Sequence, residues 1–296
     1  MKLGLMTDGL AHLSRADCLD QVASWGLEAV EFGLGGWSSA PHVDLDALLR
    51  SAAERRRLLD EVADRGLLIS ALNASGNQLH PGPSGAADSA KVDATVELAV
   101  LLGVRRVVLM SGLPGAPGDT YPNWITTSWP PETLEVLEWQ WRERLVPYWR
   151  ELTVRAHRAG VLLCIEQHGR QCVHNTETFL RLREAVAAEV GEAAAEVLRV
   201  NFDPSHLLWM GGEPVEAIRA LGGSIGHVHA KDTRLEEKHR RDGLLDANPN
   251  VPVEARAWNY VSVGRGRSAA EWARVLGALR DVGYDDVLSI ENEDHS

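Results

Sequence analysis

Four short apolar stretches in the second half of the chain each end on side chains that can bind a metal or move a proton. The stretches are Val161–Gly169, Val197–His206, Ile225–Asp232 and Val287–Glu293, and near their ends they carry Glu166, Asp203, His229 and Glu291. In a parallel α/β barrel the C-terminal ends of all strands open on one face, and that face carries the chemistry. The pattern therefore predicts a metal ion held by these four side chains.

The ligand types indicate which ion to expect. Three carboxylates and one imidazole, with no thiolate, suit a hard divalent cation that keeps open positions. We expect Mn²⁺ first and Mg²⁺ or Co²⁺ as alternatives, since Zn²⁺ usually takes more nitrogen or sulfur ligands. Any one of these side chains alone would more often be an ordinary solvated or hydrogen-bonded residue. The prediction depends on all four standing at consecutive strand ends.

Such a site has a defined chemistry. A divalent ion that chelates the carbonyl and hydroxyl oxygens of an α-hydroxyketone lowers the pKa of the intervening C–H and stabilises the enediolate. Two carboxylates on opposite sides of the substrate can then remove a proton and return one. Return to the same carbon gives an epimer, return to the neighbouring carbon gives an aldose–ketose isomer, and loss of a β-hydroxyl gives dehydration. The four residues do not choose among these reactions.

A polar layer is predicted beneath the ligands. Side chains alternate along a strand, so the residue two positions before each ligand faces the barrel interior. These residues are Cys164, Asn201, His227 and Ser289, where barrels usually carry Val, Ile or Leu. Because buried polar groups are costly without partners, we expect this layer to orient the ligands.

The elements that must position these side chains alternate between strand and helix. Eight predicted strands and seven predicted helices follow one another along the chain, as in parallel βα units. The first four predicted strands are Lys2–Thr7, Leu27–Phe32, Leu67–Leu72 and Arg105–Met110. The sequence thus predicts an α/β fold, a (β/α)8 TIM barrel that forms a single domain over residues 1–296.

The helices between the strands are predicted from apolar periodicity and capping residues. They cover Ser14–Trp25, Asp44–Arg65, Ala87–Leu102, Glu132–Ala159 with a bend at Pro147, Thr176–Val190, Pro214–Leu221 and Ser268–Val282. Long loops are expected at Ser111–Pro131 and Ala230–Arg267.

No eighth helix follows the last predicted strand. The apolar outer faces of the first and last strands would then be exposed in a closed barrel. We expect a homo-oligomer or a partner chain that covers this groove, unless the chain is truncated or Ala11–Trp25 shifts over it.

Composition excludes several classes of partner. With 42 acidic and 30 basic residues the formal charge is −12, which disfavours nucleic acid. No apolar run approaches the roughly 20 residues of a membrane span, and the N-terminus lacks the features of a signal peptide. We therefore expect a cytoplasmic protein with no membrane contact. Cys18, Cys164 and Cys172 are too scattered for a disulfide framework.

Four motifs carry a family resemblance. They are IEQH at Ile165–His168, NFDPSH at Asn201–His206, HVHAKD at His227–Asp232 and SIENED at Ser289–Asp294. With them the chain resembles the xylose isomerase-like barrel superfamily, the sugar phosphate isomerase/epimerase group that includes ketose 3-epimerases, inosose dehydratase and endonuclease IV. The resemblance implies that Glu166, Asp203, His229 and Glu291 bind the metal. It also implies that Glu166 and Glu291 act as the acid/base pair and that His206 contacts substrate.

Further substrate-binding candidates lie on the predicted catalytic face: His168, Asn77, His80, Lys231, Arg265 and Trp258. Trp258 is one of five tryptophans predicted in loops after strands. Aromatic rings stack on the apolar faces of sugars, so an unphosphorylated sugar or a glycoside is a plausible small-molecule substrate.

The leading hypothesis is a metal-dependent sugar isomerase or epimerase acting on a ketose. A lyase that dehydrates a keto-inositol or a 3-keto-glycoside is the alternative, which the long Ala230–Arg267 loop would suit. An endonuclease IV-like nuclease needs further ligands where Asn73 and Ser111 stand. A non-catalytic assembly subunit is the fourth hypothesis.

Overall fold

A closed barrel of eight parallel strands forms the centre of the chain. The computed structural model describes residues 1–245 and 251–294. The described residues form these eight strands and two more, β8 and β9, which lie outside the barrel. In chain order they are β1 (Lys2–Met6), β2 (Ala29–Gly33), β3 (Leu68–Asn73), β4 (Arg106–Met110), β5 (Leu162–Glu166), β6 (Leu198–Phe202), β7 (Ile225–Ala230), β8 (Asp232–Leu235), β9 (Trp258–Val261) and β10 (Val287–Ile290). In the barrel β1 to β7 follow one another in chain order, and β10 closes the ring between β7 and β1. The predicted TIM barrel is confirmed.

The helices surround the barrel, and their apolar faces pack on the outer side of the strands. They are α1 (Arg15–Ser24), α2 (Leu45–Arg50), α3 (Ala52–Ala63), α4 (Pro83–Leu102), α5 (Glu132–Trp139), α6 (Val146–Ala159), α7 (Thr176–Val190), α8 (Glu192–Ala195), α9 (Pro204–Trp209), α10 (Pro214–Leu221), α11 (His239–Asp242) and α12 (Ala269–Asp281). The largest fully buried side chains in this layer are Trp149, Phe32, Phe179 and Phe202.

The prediction of one helix over Asp44–Arg65 is wrong. The backbone at Ser51 is extended, with φ −123° and ψ 112°, and the hydroxyl of Ser51 accepts a hydrogen bond from the backbone N–H of Glu54. Serine competes for backbone hydrogen bonds and favours the N-cap position over a helix interior. The segment therefore forms two helices, α2 and α3, that share Ser51 as a boundary.

The helix predicted over Glu132–Ala159 is not one uniform α-helix. Pro147, which lacks a backbone N–H, is the second residue of α6 and follows a helical backbone. The irregularity comes earlier, as a π-helical segment over Gln140–Leu145 between α5 and α6. The side chain amide of Gln140 is buried there and donates to the carbonyl oxygens of Pro114 and Asn123, so this segment anchors the loop that follows β4.

The long loop predicted over Ala230–Arg267 contains structure that its sequence did not reveal. Strands β8 and β9 form an antiparallel hairpin in which Asp232 lies opposite Val261. Residues 246–250 of this predicted loop, and residues 295–296 of the predicted domain, lie outside the described residues.

The buried carboxylate of Asp232 anchors the return from this hairpin to α12. It accepts hydrogen bonds from the backbone N–H groups of Gly264, Gly266 and Arg267 and from the indole of Trp272. A Cβ at Gly266 would lie 2.3 Å from a backbone oxygen of the hairpin, so the close approach requires glycine. One carboxyl side chain thus fixes a loop at the mouth of the barrel.

The outer faces of the first and last barrel strands are only partly exposed. Leu5 and Leu288 are only 6% exposed, and only Leu3 among these apolar side chains is largely exposed, at 46%. Along the described part of the chain, no helix follows β10. Each described helix is either too short or too polar to cross a membrane.

Replacing Asp232 by Ala would leave five donors without their acceptor, namely the backbone N–H groups of Thr233, Gly264, Gly266 and Arg267 and the indole of Trp272. Hydrogen bonds to a charged acceptor are worth more than neutral ones, so we expect the free energy of unfolding to fall by about 3 kcal/mol or more. Urea unfolding followed by circular dichroism measures this change. The matched control is Asp281→Ala at the exposed end of α12, for which the change should stay within about 0.5 kcal/mol. Equal losses in the two variants would contradict the anchoring role of Asp232.

Candidate metal centre

The four predicted ligands converge at the C-terminal end of the barrel. Glu166 is the last residue of β5, Asp203 directly follows β6, His229 lies in β7 and Glu291 directly follows β10. One ligand atom from each lies within 4.8 Å of all the others. Glu166, Asp203 and His229 are buried, whereas the side chain of Glu291 is 18% exposed. The side chains therefore form a cluster that opens toward solvent on one side.

The charges of this cluster depend on each other. Burial opposes the ionisation of Glu166, but hydrogen bonds and charge from His206 and His229 hold its pKa well below its usual range. Burial likewise opposes ionisation of Glu291, and the charges of Lys231 and His229 lower its pKa. The lowered pKa values of Glu166 and Glu291 thus favour two ionised carboxylates close together.

Three atoms of the cluster are buried and lack a hydrogen-bond partner of good geometry. They are Asp203 Oδ2, His229 Nδ1 and Glu291 Oε2. His229 Nδ1 lies 3.0 Å from Glu291 Oε2 and 3.3 Å from Glu166 Oε2. Lone pairs from a carboxylate-rich donor set that face one another in a buried place fit a divalent cation.

His206 links the cluster to the β8–β9 hairpin. It lies in α9, which begins directly after Asp203, and its Nε2 donates to Glu166 Oε1 at 2.9 Å. Its Nδ1 lies 2.7 Å from the hydroxyl of Tyr260 on β9, which also accepts from the indole of Trp209 at 3.2 Å. Burial alone would lower the pKa of His206, but Tyr260 and Asp203 raise it well above its usual value. The hairpin therefore contributes to the position of Glu166.

The polar layer predicted beneath the ligands orients them only in part. Asn201 donates to Glu166 Oε2 at 2.9 Å, as expected. His227 contacts Glu31 instead of a ligand, at 2.9 Å. Cys164 packs in a small apolar cluster, where burial raises the pKa of its thiol to about 12. The hydroxyl of Ser289 has no hydrogen-bond partner among the described residues.

Glu31 is the functional candidate that sequence reasoning missed. It lies in β2, is fully buried, and contacts both His227 and His229. Asn73 of β3 also donates to it, at 2.9 Å. The signal was a single carboxylate inside an apolar predicted strand, since a buried charge always needs a partner.

A cavity of about 390 Å³ opens above the cluster. Its lining includes the predicted site residues Glu166, His168, His206, Lys231 and Glu291, together with Asp8, Trp37, Asn73, Asn292 and Glu293. Burial lowers the pKa of His168 to about 3, so its imidazole is neutral near pH 7.

Lys231 lies at the wall of this cavity between two carboxylates. Its Nζ is 2.8 Å from Glu293 Oε2 and 3.3 Å from Glu291 Oε2, and it lies 4.5 Å from the centre of the Tyr260 ring. Burial opposes its charge, but Glu291 and Glu293 raise its pKa well above its usual value. Lys231 therefore carries a charge that is already balanced.

Four other substrate-binding candidates lie outside the cavity lining. Asn77 accepts from the backbone N–H of Leu113 and donates to its carbonyl oxygen. His80 accepts from the N–H of Gly82, and Arg265 is 66% exposed near Asp294. Trp258 stacks on Trp209 with ring centres 5.0 Å apart. Substrate binding by Asn77, His80, Arg265 and Trp258 therefore stays a prediction from sequence.

Comparisons with known proteins agree with this architecture. The family model for the xylose isomerase-like TIM barrel matches residues 19–296. The chain is 43% identical over 299 residues to the uncharacterized protein YfiH of Bacillus subtilis strain 168, an alignment that covers 99% of this chain and 93% of the relative.

Two solved structures share the fold at low sequence identity. The probable 3-DHS dehydratase AsbF of Bacillus anthracis matches with a TM-score of 0.67 and 20% identity, covering 100% of this chain and 94% of its own. A D-psicose 3-epimerase of Clostridium cellulolyticum H10, solved with D-tagatose, matches with a TM-score of 0.60 and 18% identity, covering 98% and 84%. These likenesses indicate the fold alone.

The cluster predicts stabilisation by a divalent cation. A ligand at about 100 times its Kd adds about 2.7 kcal/mol to the stability of the folded state, so MnCl₂ should raise the Tm of chelator-treated protein. Asp203→Asn removes one charged ligand and should abolish most of that shift, as thermal unfolding with and without MnCl₂ will measure. Asp46→Asn, on the surface at the start of α2, should keep the full shift. An unchanged shift in Asp203→Asn would exclude Asp203 as a ligand.

Proposed function

Since the chain belongs to the xylose isomerase-like TIM barrel family, we propose that it is a divalent-metal-dependent sugar isomerase or epimerase. The family expected from the four motifs is confirmed. The observation that carries the proposal is the convergence of Glu166, Asp203, His229 and Glu291 within 4.8 Å below a cavity that reaches solvent. A structural role alone would not require three carboxylates at one place, since like charges close together oppose one another.

The donor set of three carboxylates and one imidazole favours Mn²⁺, with Mg²⁺ or Co²⁺ as alternatives. When bound, such an ion would polarise the carbonyl and hydroxyl oxygens of an α-hydroxyketone and make the C–H between them more acidic. The residues that would hold it are Glu166, Asp203, His229 and Glu291.

Glu166 and Glu291 are the groups that we expect to move protons. Glu166 is held by His206 on one oxygen and by Asn201 on the other. Glu291 lies beside Lys231, directly after β10, which is separated from β5 by β6 and β7 in the barrel order. Carboxylates on different sides of the substrate can take a proton from one face of a carbon and return one to the other face.

The charges around the cavity favour a neutral substrate. Among the described residues that line the cavity, Lys231 is the one lysine or arginine. The carboxylates of Glu293 and Glu291 already balance its positive charge. The described lining therefore offers no unpaired Lys or Arg that would bind a phosphate ester. Trp37, which is 56% exposed at the mouth, can stack on the apolar face of a sugar. We therefore propose an unphosphorylated ketose or a related sugar as the substrate.

Dehydration is the second candidate, and Lys231 favours it. Its ammonium group faces the cavity 3.3 Å from Glu291, where it could donate a proton to a departing β-hydroxyl while a carboxylate holds the proton taken from carbon. The likeness to a protein named as a probable dehydratase is consistent with this alternative. A keto-inositol or a 3-keto-glycoside would be the corresponding substrate class.

Solvent exchange tests the proposal directly. Metal-loaded protein in D₂O should incorporate deuterium at the carbon next to the carbonyl of an accepted ketose, as NMR of the recovered sugar will detect. Because Glu166 and Glu291 would carry that proton, Glu166→Gln and Glu291→Gln should each slow the exchange by about 10²-fold or more.

The matched control for these variants is Glu237→Gln, whose side chain is 91% exposed and which should exchange at the normal rate. A dehydrated product without deuterium in the recovered substrate would favour the lyase. Exchange that survives in both Glu166→Gln and Glu291→Gln would contradict the assignment of the proton carriers.

A further inference from the structure

We propose that Glu31 is a positioning residue of the metal centre, whose carboxylate receives the Nε2–H of His229 and so presents Nδ1 to the ion. This inference rests on the metal dependence proposed above. It assigns a role to a buried carboxylate that is not one of the four ligands.

The ring of His229 bridges two groups of carboxylates. Its Nε2 lies 3.1 Å from both oxygens of Glu31. Its Nδ1, at the other edge of the ring, faces Glu291 and Glu166 at 3.0 and 3.3 Å. Only Nδ1 therefore points into the proposed metal site.

The chemistry of imidazole turns this geometry into a choice of tautomer. A neutral ring carries one N–H and one lone pair, and an ionised carboxylate can only accept. Carboxylates face both edges of the ring, but a cation bound between Nδ1 and the oxygens of Glu166 and Glu291 would take the lone pair of Nδ1. Glu31 then holds the one remaining hydrogen on Nε2. A carboxylate behind a metal-binding histidine also fixes the ring orientation and raises its basicity as a ligand.

Glu31 is itself held in place by two other donors. Asn73 donates to Oε1 and His227 donates to Oε2, each at 2.9 Å. Glu31 lies in β2 and His229 in β7, which are separated by β1 and β10 in the barrel order. The Glu31 carboxylate thus reaches across the barrel interior, where it is fully buried. The described side chains that hydrogen-bond to it there are Asn73, His227 and His229.

A purely structural role for Glu31 makes a different prediction. In that case the carboxylate would serve only to satisfy two buried histidines, and His227 would matter as much as His229. Glu31→Gln and His227→Gln separate the two roles. Both variants disturb the hydrogen bond between Glu31 and His227, but only Glu31→Gln removes the charged acceptor behind His229.

The test is a titration of chelator-treated protein with Co²⁺. Calorimetry measures the affinity, and visible absorption reports the environment of the bound ion. Glu31→Gln should weaken Co²⁺ binding by about 10- to 100-fold and alter the absorption spectrum, whereas His227→Gln should stay within about threefold. Circular dichroism of the metal-free proteins checks that both variants fold. Glu31→Asp, which keeps the charge on a shorter side chain, should recover part of the affinity.

A second measurement needs no variant. In wild-type protein labelled with ¹⁵N-histidine and loaded with ¹¹³Cd²⁺, NMR should show His229 with a proton on Nε2 and a coupling from the metal to Nδ1. A coupling to Nε2 would overturn the proposal even if Glu31→Gln failed to fold.

The outcomes separate this inference from the function it rests on. If wild-type protein binds neither Co²⁺ nor Cd²⁺, the metal centre and the role of Glu31 are both wrong. If wild-type protein and Glu31→Gln bind Co²⁺ equally well, only the role of Glu31 is wrong. Equal losses in Glu31→Gln and His227→Gln would make the cluster structural and would also overturn the proposal.

Discussion

The concentration of negative charge at one end of the barrel is the constraint on which the site depends. Glu166, Asp203 and Glu291 bring carboxylate oxygens within 4.8 Å of each other in a largely buried place, where repulsion is screened less than in water. His229 and Lys231 offset part of this charge. Oxygens of Asp203 and Glu291 still lack hydrogen-bond partners of good geometry. A bound divalent cation would offset this negative charge more fully than the described side chains do.

Only a closed ring of parallel strands brings these oxygens together. The four candidate ligands lie at the ends of β5 and β7 and directly after β6 and β10. The position of each therefore depends on the register between neighbouring strands, such as the pairing of Glu166 with Asn201. The segments that follow the strands then complete the site. Helix α9 begins at once after Asp203 and supplies His206, and the hairpin supplies Tyr260. The barrel fixes where the ion would lie, and the loops fix what surrounds it.

The sequence predicted those parts of the site that are local. A short apolar run that ends on a carboxylate or an imidazole can be recognised without its neighbours, which is why the barrel and the four side chains that cluster at its C-terminal end could be predicted. Glu31 could not be found in this way, because its partner His229 is 198 residues further along the chain and contacts it across the barrel interior. The β8–β9 hairpin was missed because its strands are four residues long and far apart in sequence. The helix boundary at Ser51 was missed because the apolar periodicity continues on both sides of it, although the Ser51 hydroxyl caps α3.

Epimerisation, isomerisation and dehydration differ in the step that returns a proton, not in the step that removes one. All three reactions begin with the loss of a proton from the same kind of carbon, which the cluster of ligands can promote equally well. The return depends on which donor stands nearest the neighbouring carbon or the leaving hydroxyl. In the reaction proposed for this chain, the candidates for that donor lie at the cavity wall, where Lys231 and Glu293 are 2.8 Å apart. Exchange of side chains at this wall would therefore change the outcome of the reaction without any change in the four candidate ligands.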